Sequence, residues 1–194
     1  MASKNGNQAF KALDVFYQSG FNRLQNTTVK GIFVSDCGVL FVRADIDPDG
    51  SLKELLQIIE AINKDMIEKD CMLTTSIAYG PFRYQRRIVF DGVEKNLLLG
   101  NAYLSAYLDS NSAKPKIEPG MCRIVKYSLP AMLLENIGIN HHRIAERARD
   151  PKHLYFYWMI QDGRDIARFE EMYSDSYQRI YGGMIDALKH FSNL

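Results

Sequence analysis

Apolar side chains recur at helical intervals through residues 9–24, where Phe10, Leu13, Phe16, Tyr17, Phe21 and Leu24 mark one face of an amphipathic helix that Gly20 weakens near its end. Two short β-branched and aromatic runs follow, 28–34 and 39–44. The segment between them, Ser35-Asp36-Cys37-Gly38, has turn chemistry, so the pattern predicts a hairpin with Asp36 at its tip. Residues 51–69 carry Leu52, Leu55, Leu56, Ile59, Ile62 and Met66 on one helical face, with Ser51 and Glu54 at capping-box spacing.

The second half alternates more quickly. Residues 71–79 read as a strand ending at Gly80-Pro81, and 83–90 as an exposed strand closed by an Asp91-Gly92 turn. After Gly100 the stretch NAYLSAYLDS reads as a helix that stops in the polar run before Pro115. Residues 121–126 form a further strand, 129–136 and 143–149 two short helices, and 153–160 a strand. A long helical segment, 165–191, is interrupted at Gly182-Gly183. No internal repeat appears, and one domain spanning 1–194 is the default for this length.

Composition narrows the function only slightly. The formal charge of +1 gives no global drive toward nucleic acid or an anionic membrane, so an anionic ligand must be held by a local basic cluster. The cysteines, Cys37, Cys71 and Cys122, are odd in number and belong to no C-x-x-C pair, which suits a reducing compartment. The polar first residues do not resemble a signal peptide, and no apolar run approaches the ~18 residues of a membrane span. A cytoplasmic protein is the expectation.

Several constellations invite chemistry. Asp45-Ile-Asp47-Pro-Asp49-Gly50 imitates the start of a calcium loop, but Leu56 stands where such a loop needs a bidentate glutamate, and the segment reads as a solvated helix entry. His141, His142 and His153 lack metal-ligand spacing and read as loop or surface histidines. Arg83, Arg86 and Arg87 interleave with Tyr79, Phe82 and Tyr84. Guanidinium forks pair with phosphates and aromatic faces stack on bases, although the same mixture also blunts a sheet edge or lines a dimer contact.

The order of helix, FVSDCG hairpin, capped helix, strand ending in IAYG, LLLGNAYLSAYLDS and PKIEPGMCRIV resembles class III nucleotide cyclases. More closely, it is similar to the bacterial pyrimidine cyclases of phage defence and their uncharacterised relatives. The likeness covers residues 9–126, with 127–194 adding C-terminal helices and a strand. It implies an α/β (α+β) cyclase-like sandwich, an antiparallel-rich sheet with helices packed on it. It also implies a homodimer, or a heterodimer with a cyclase-like subunit, and formation of a 3′,5′-cyclic (pyrimidine) nucleotide from a nucleoside triphosphate with release of pyrophosphate. By this likeness Asp36 holds Mg2+ or Mn2+, and Arg83, Arg86, Arg87 and Tyr79 contact the substrate.

The family pairs that aspartate with a second one on an upstream strand. Asp36 has 35 residues before it, and Asp14 is too near to be that partner, so the resemblance implies that the other carboxylate comes from a partner chain or an upstream segment. Leu104 and Tyr107 stand near the positions where adenylate and guanylate cyclases carry an Asn and an Arg. The rival expectation is a catalytically incomplete homologue that senses a nucleotide or serves as a dimerisation subunit.

Overall fold

A computed structural model describes the backbone of residues 2–43, 47–90 and 93–192, and among these the side chains of 10–43, 47–85, 97–137 and 139–182. In chain order the elements are α1 (Ala2–Leu24), β1 (Lys30–Val34), β2 (Cys37–Phe41), α2 (Pro48–Ile67), β3 (Thr75–Ile77), β4 (Arg83–Phe90) and β5 (Val93–Leu99). They continue as α3 (Asn101–Ser112), β6 (Cys122–Val125), α4 (Ala131–Asn140), β7 (Ile144–Arg147), β8 (Asp150–Phe156) and α5 (Ile166–Ser192). The protein is mixed α/β, with helices packed on sheets. Among the described residues the strands form three separate sheets: the pair β1-β2, the pair β4-β5, and a four-stranded sheet in the order β3-β6-β8-β7.

The chain divides into two compact units. The first holds the residues up to Leu73, Trp158–Gln161 and the chain from Asp165 onward; the second holds Thr74–Tyr157 and Asp162–Arg164.

In the first unit α1 and α2 bury their apolar faces around Phe16, Val29, Ile58, Ile62 and Met66, with Phe33 and Leu40 of the hairpin packed against them. Gly20 permits the contact. A Cβ there would stand 2.2 Å from the Phe33 ring, which also lies 5.1 Å, centroid to centroid, from Phe16. The glycine that weakens the helix in isolation thus admits the ring that fastens β1 to it.

The start of α2 differs from the expected capping box. Asp47 caps the helix by accepting a hydrogen bond from the Gly50 N–H at 2.9 Å, and Pro48 supplies the first turn. Ser51 instead donates to the Arg43 carbonyl at 2.9 Å, and Glu54 accepts from the backbone N–H and hydroxyl of Thr28. The segment that imitates a calcium loop is a helix entry, as expected, although Asp45 lies outside the described residues. Helix α5 runs through Gly182-Gly183 without the expected interruption, its backbone hydrogen bonding outweighing the low helix propensity of the pair.

In the second unit β3 pairs in parallel with β6, β6 antiparallel with β8, and β8 antiparallel with β7. Ile124 and Val125 of β6 are fully buried, and Ile117, Leu133, Ile137, Leu154 and Phe156 are also buried. The strand β7 replaces the helix expected over 143–149. Ile144 is buried and Glu146 exposed, and they pair in register with Phe156 and Leu154 of β8. Two basic side chains of this stretch lie over rings: Arg143 is 5.0 Å from the Phe156 centroid, and Arg147 is 4.6 Å from that of Tyr155.

Three further bounds move. The strand expected over 71–79 is confined to Thr75–Ile77, the one expected over 153–160 occupies Asp150–Phe156, and residues 93–99, given no element by pattern, form β5. β5 pairs with β4 from Arg83↔Leu99 to Phe90↔Val93. The expected Asp91-Gly92 turn lies outside the described residues.

Candidate phosphate site at the start of α3

The loop after β3 and the start of α3 are built from one another. Gly80 and Gly100 both take positive φ, 146° and 120°, which side chains rarely adopt. A Cβ on Gly100 would lie 2.1 Å from the Pro81 carbonyl oxygen, and one on Gly80 would lie 3.5 Å from the Ala102 nitrogen. The Ala102 N–H donates to that Pro81 carbonyl at 3.3 Å, and the Tyr79 N–H donates to Ser128 Oγ at 3.0 Å. The two glycines therefore allow loop and helix to approach backbone to backbone.

Gly100 is the N-cap of α3, and no side chain caps the helix. The Ala102 N–H is taken by the Pro81 carbonyl, and the rest of the first turn carries the positive end of the helix dipole with no side-chain cap, a setting that favours an anion. Arg83 is exposed and pairs in register with Leu99, the residue before Gly100. Tyr79 is half-buried one residue before Gly80. The fold therefore gathers Tyr79, Arg83 and the start of α3 in a short stretch of the second unit. Arg86 and Arg87 are on the same strand, opposite Asn96 and Lys95, but their side chains lie outside those described.

Asp36 belongs to the first unit. It is exposed in the two-residue turn between Val34 and Cys37, where Ser35 takes a φ of 55°, and its Oδ1 lies 3.8 Å from the Cys37 thiol. Two-ion phosphoryl chemistry needs carboxylates gathered at one place. Among the described residues no group of three or more His, Cys, Asp or Glu side chains could hold a metal ion. Asp14 is an exposed residue of α1, and Leu104 and Tyr107 are both 52% exposed on α3.

The expectation that His153 is a loop or surface residue is overturned. It is 3% exposed in β8, at the centre of a polar network that closes behind α3. Its Nδ1 lies 2.8 Å from both Asp150 oxygens, and its Nε2 lies 2.7 Å from Asp109 Oδ1. Asp109 Oδ2 accepts from Ser76 Oγ at 2.5 Å and from Arg123 Nε at 2.8 Å. Tyr155 donates its hydroxyl to Asp150 at 2.6 Å.

Burial would raise the Asp150 carboxyl, but the Tyr155 hydroxyl and His153 outweigh it and hold the group below the usual carboxylate range. Burial and the Asp150 carboxylate push the Tyr155 phenol up to about 12. Sequence pattern missed this network because its members, Ser76, Asp109, Arg123, Asp150, His153 and Tyr155, come from four elements with no shared spacing. A single polar residue within the apolar run HLYFYW was its only local sign.

Among the described residues no helix is long and apolar enough to cross a membrane. Compared with known proteins, the chain matches no family model, no curated protein and no solved structure.

Proposed function

We propose that this chain is a cyclase-like nucleotide-binding protein that takes the phosphates of a nucleoside triphosphate at the start of α3. The observation that carries the reading is the first turn of α3, which has no side-chain cap and is built against the Gly80-Pro81 loop, with Arg83 in register beside it. Backbone N–H groups and a guanidinium suit phosphate oxygens, and the Tyr79 ring is the nearby aromatic face for a base. The resemblance to class III cyclases supplies the nucleotide as the source of those phosphates, together with the cyclase-like sandwich and the dimer.

A binding or dimerisation subunit needs no carboxylate pair, whereas an autonomous cyclase does. The rival, cyclisation with a carboxylate supplied by a partner chain, retains Asp36 as a metal ligand. Incubation with the four ribonucleoside triphosphates and manganese, read by mass spectrometry beside calorimetric titration, separates the two. Binding without a cyclic product supports the subunit. A product that disappears in Asp36→Ala establishes the enzyme, and the absence of both binding and product overturns the nucleotide reading.

A further inference from the structure

The loop that meets α3 is tied at its other end to β6 through one hydroxyl. β3 and β6 pair in parallel up to Ile77↔Ile124, and two residues further the register would set Tyr79 opposite Lys126. Lys126 instead begins a single 3₁₀ turn, Lys126–Ser128, closed by the Leu129 N–H donating to the Lys126 carbonyl at 3.2 Å. The ladder therefore ends before it reaches Tyr79, whose N–H needs another acceptor.

Ser128 supplies it. Its Oγ accepts from the Tyr79 N–H at 3.0 Å and donates at 2.7 Å to the carbonyl of Val125, the last residue of β6. A hydroxyl gives one hydrogen and accepts at its lone pairs, so one oxygen joins the two chain ends in a way that no apolar side chain of the same size can. Val125 is fully buried and Ser128 is half-buried, so the anchor stands on the core of the sheet and is partly sheltered from competing water.

What Ser128 holds is the base side of the site. Tyr79 directly precedes Gly80, where the loop comes closest to Ala102. The groups assigned to the phosphates have supports of their own: Arg83 is fixed by its ladder to Leu99, and the first turn of α3 by the Ala102 N–H on the Pro81 carbonyl. A backbone freed at Tyr79 lets its ring sample directions away from α3, and a stacking contact that exists only when the ring is in place weakens by that freedom.

Resting on the nucleotide reading above, we propose that Ser128 is a positioning residue for base recognition. Its hydroxyl holds Tyr79 beside the start of α3 and acts on the base of the nucleotide rather than on its phosphates.

The test is calorimetric titration of the full chain with each of the four ribonucleoside triphosphates and with inorganic tripolyphosphate, in wild type, Ser128→Ala, Tyr79→Leu and the double variant. Ser128→Ala is expected to weaken the tightest-binding nucleotide about 5-fold, the worth of one such hydrogen bond, and to leave tripolyphosphate unchanged. Introduced into Tyr79→Leu, the same substitution is expected to change neither. Equal losses for both probes, no loss for the nucleotide, or an undiminished loss in the Tyr79→Leu background would overturn the proposal. Wild type that binds tripolyphosphate as tightly as every nucleotide would overturn it while leaving the phosphate site in place, and wild type that binds neither probe would overturn the nucleotide reading itself. Amide exchange provides an arm that needs no variant. The Tyr79 N–H is expected to exchange slowly in the free wild-type chain, and exchange at the rate of an unprotected amide would remove the anchor whatever binds.

Discussion

Arg123 has no solvent-exposed surface and donates to Asp109 twice, from Nε to the carboxylate at 2.8 Å and from Nη2 to the backbone carbonyl at 2.9 Å. A third donor, Nη1, reaches the Pro115 carbonyl at 2.7 Å. One side chain of β6 thereby holds the last turn of α3 and the chain just beyond it. Removing one partner of such a pair strands a buried charge, at a cost of roughly 3–5 kcal/mol. Arg123→Met is expected to lose about that much in chemical denaturation followed by circular dichroism. Pairing it with Asp109→Leu should cost less than the sum of the two single changes, and strict additivity would contradict the coupling.

Asp47 and Gly50 form a second pair whose loss can be measured. A Cβ on Gly50 would lie 2.2 Å from Asp47 Oδ2, so the cap closes because position 50 has no side chain. Asp47→Ala is expected to destabilise the first unit by about 1 kcal/mol. Ser51→Ala should cost less, since Ser51 does not cap α2; equal losses would restore the capping box.

Asp65 and Asp150 both contribute to the acid limb of stability. Burial tends to raise Asp65, but hydrogen bonds from Arg23 and Ser19 outweigh it and lower the group, and Asp150 is lowered as described above. A carboxyl lowered in the folded state contributes stability that is fully present above its unfolded value of about 3.9 and is lost as pH falls through the folded value. Arg23 is 47% exposed, so its share is screened and worth less than about 1 kcal/mol. Acid titration of wild type should show stability falling below about pH 4, more shallowly in Asp150→Asn than in Asp65→Asn relative to wild type. Parallel curves for all three proteins would contradict this.

Gly100 tests the loop–helix junction. Its φ of 120° and the Pro81 oxygen 2.1 Å from a Cβ leave no room for alanine. Gly100→Ala is expected to cost roughly 1–3 kcal/mol through backbone strain and to weaken nucleotide binding at least ~10-fold. Unchanged binding would place the phosphates elsewhere.

Elements with a long, regular pattern were legible in the sequence: α2 buries Leu52, Leu56, Ile59, Ile62 and Met66 as its spacing requires. The hairpin turn at Asp36 and the strand β4 were legible from turn residues and β-branched runs. What pattern could not give was decided by distant partners. The stretch 143–149 has no strand signal of its own: β7 is fixed by its register with β8 and by Arg143 and Arg147 lying over β8 rings. β5 carries Glu94-Lys95-Asn96, residues with little strand preference, and is held by its ladder to β4. In the candidate site, Tyr79 and Arg83 were legible as neighbours in sequence, whereas the role of Gly100 depends on Pro81 and that of His153 on Asp109.

The most direct test of phosphate binding at α3 is amide hydrogen exchange of the full chain with and without a saturating ribonucleoside triphosphate, across all four bases. Protection is predicted for the amides of Asn101 to Tyr103 and the loop from Gly80 to Arg83, reduced in Arg83→Ala. Unchanged exchange in both segments, or protection confined to other parts of the chain, would contradict it.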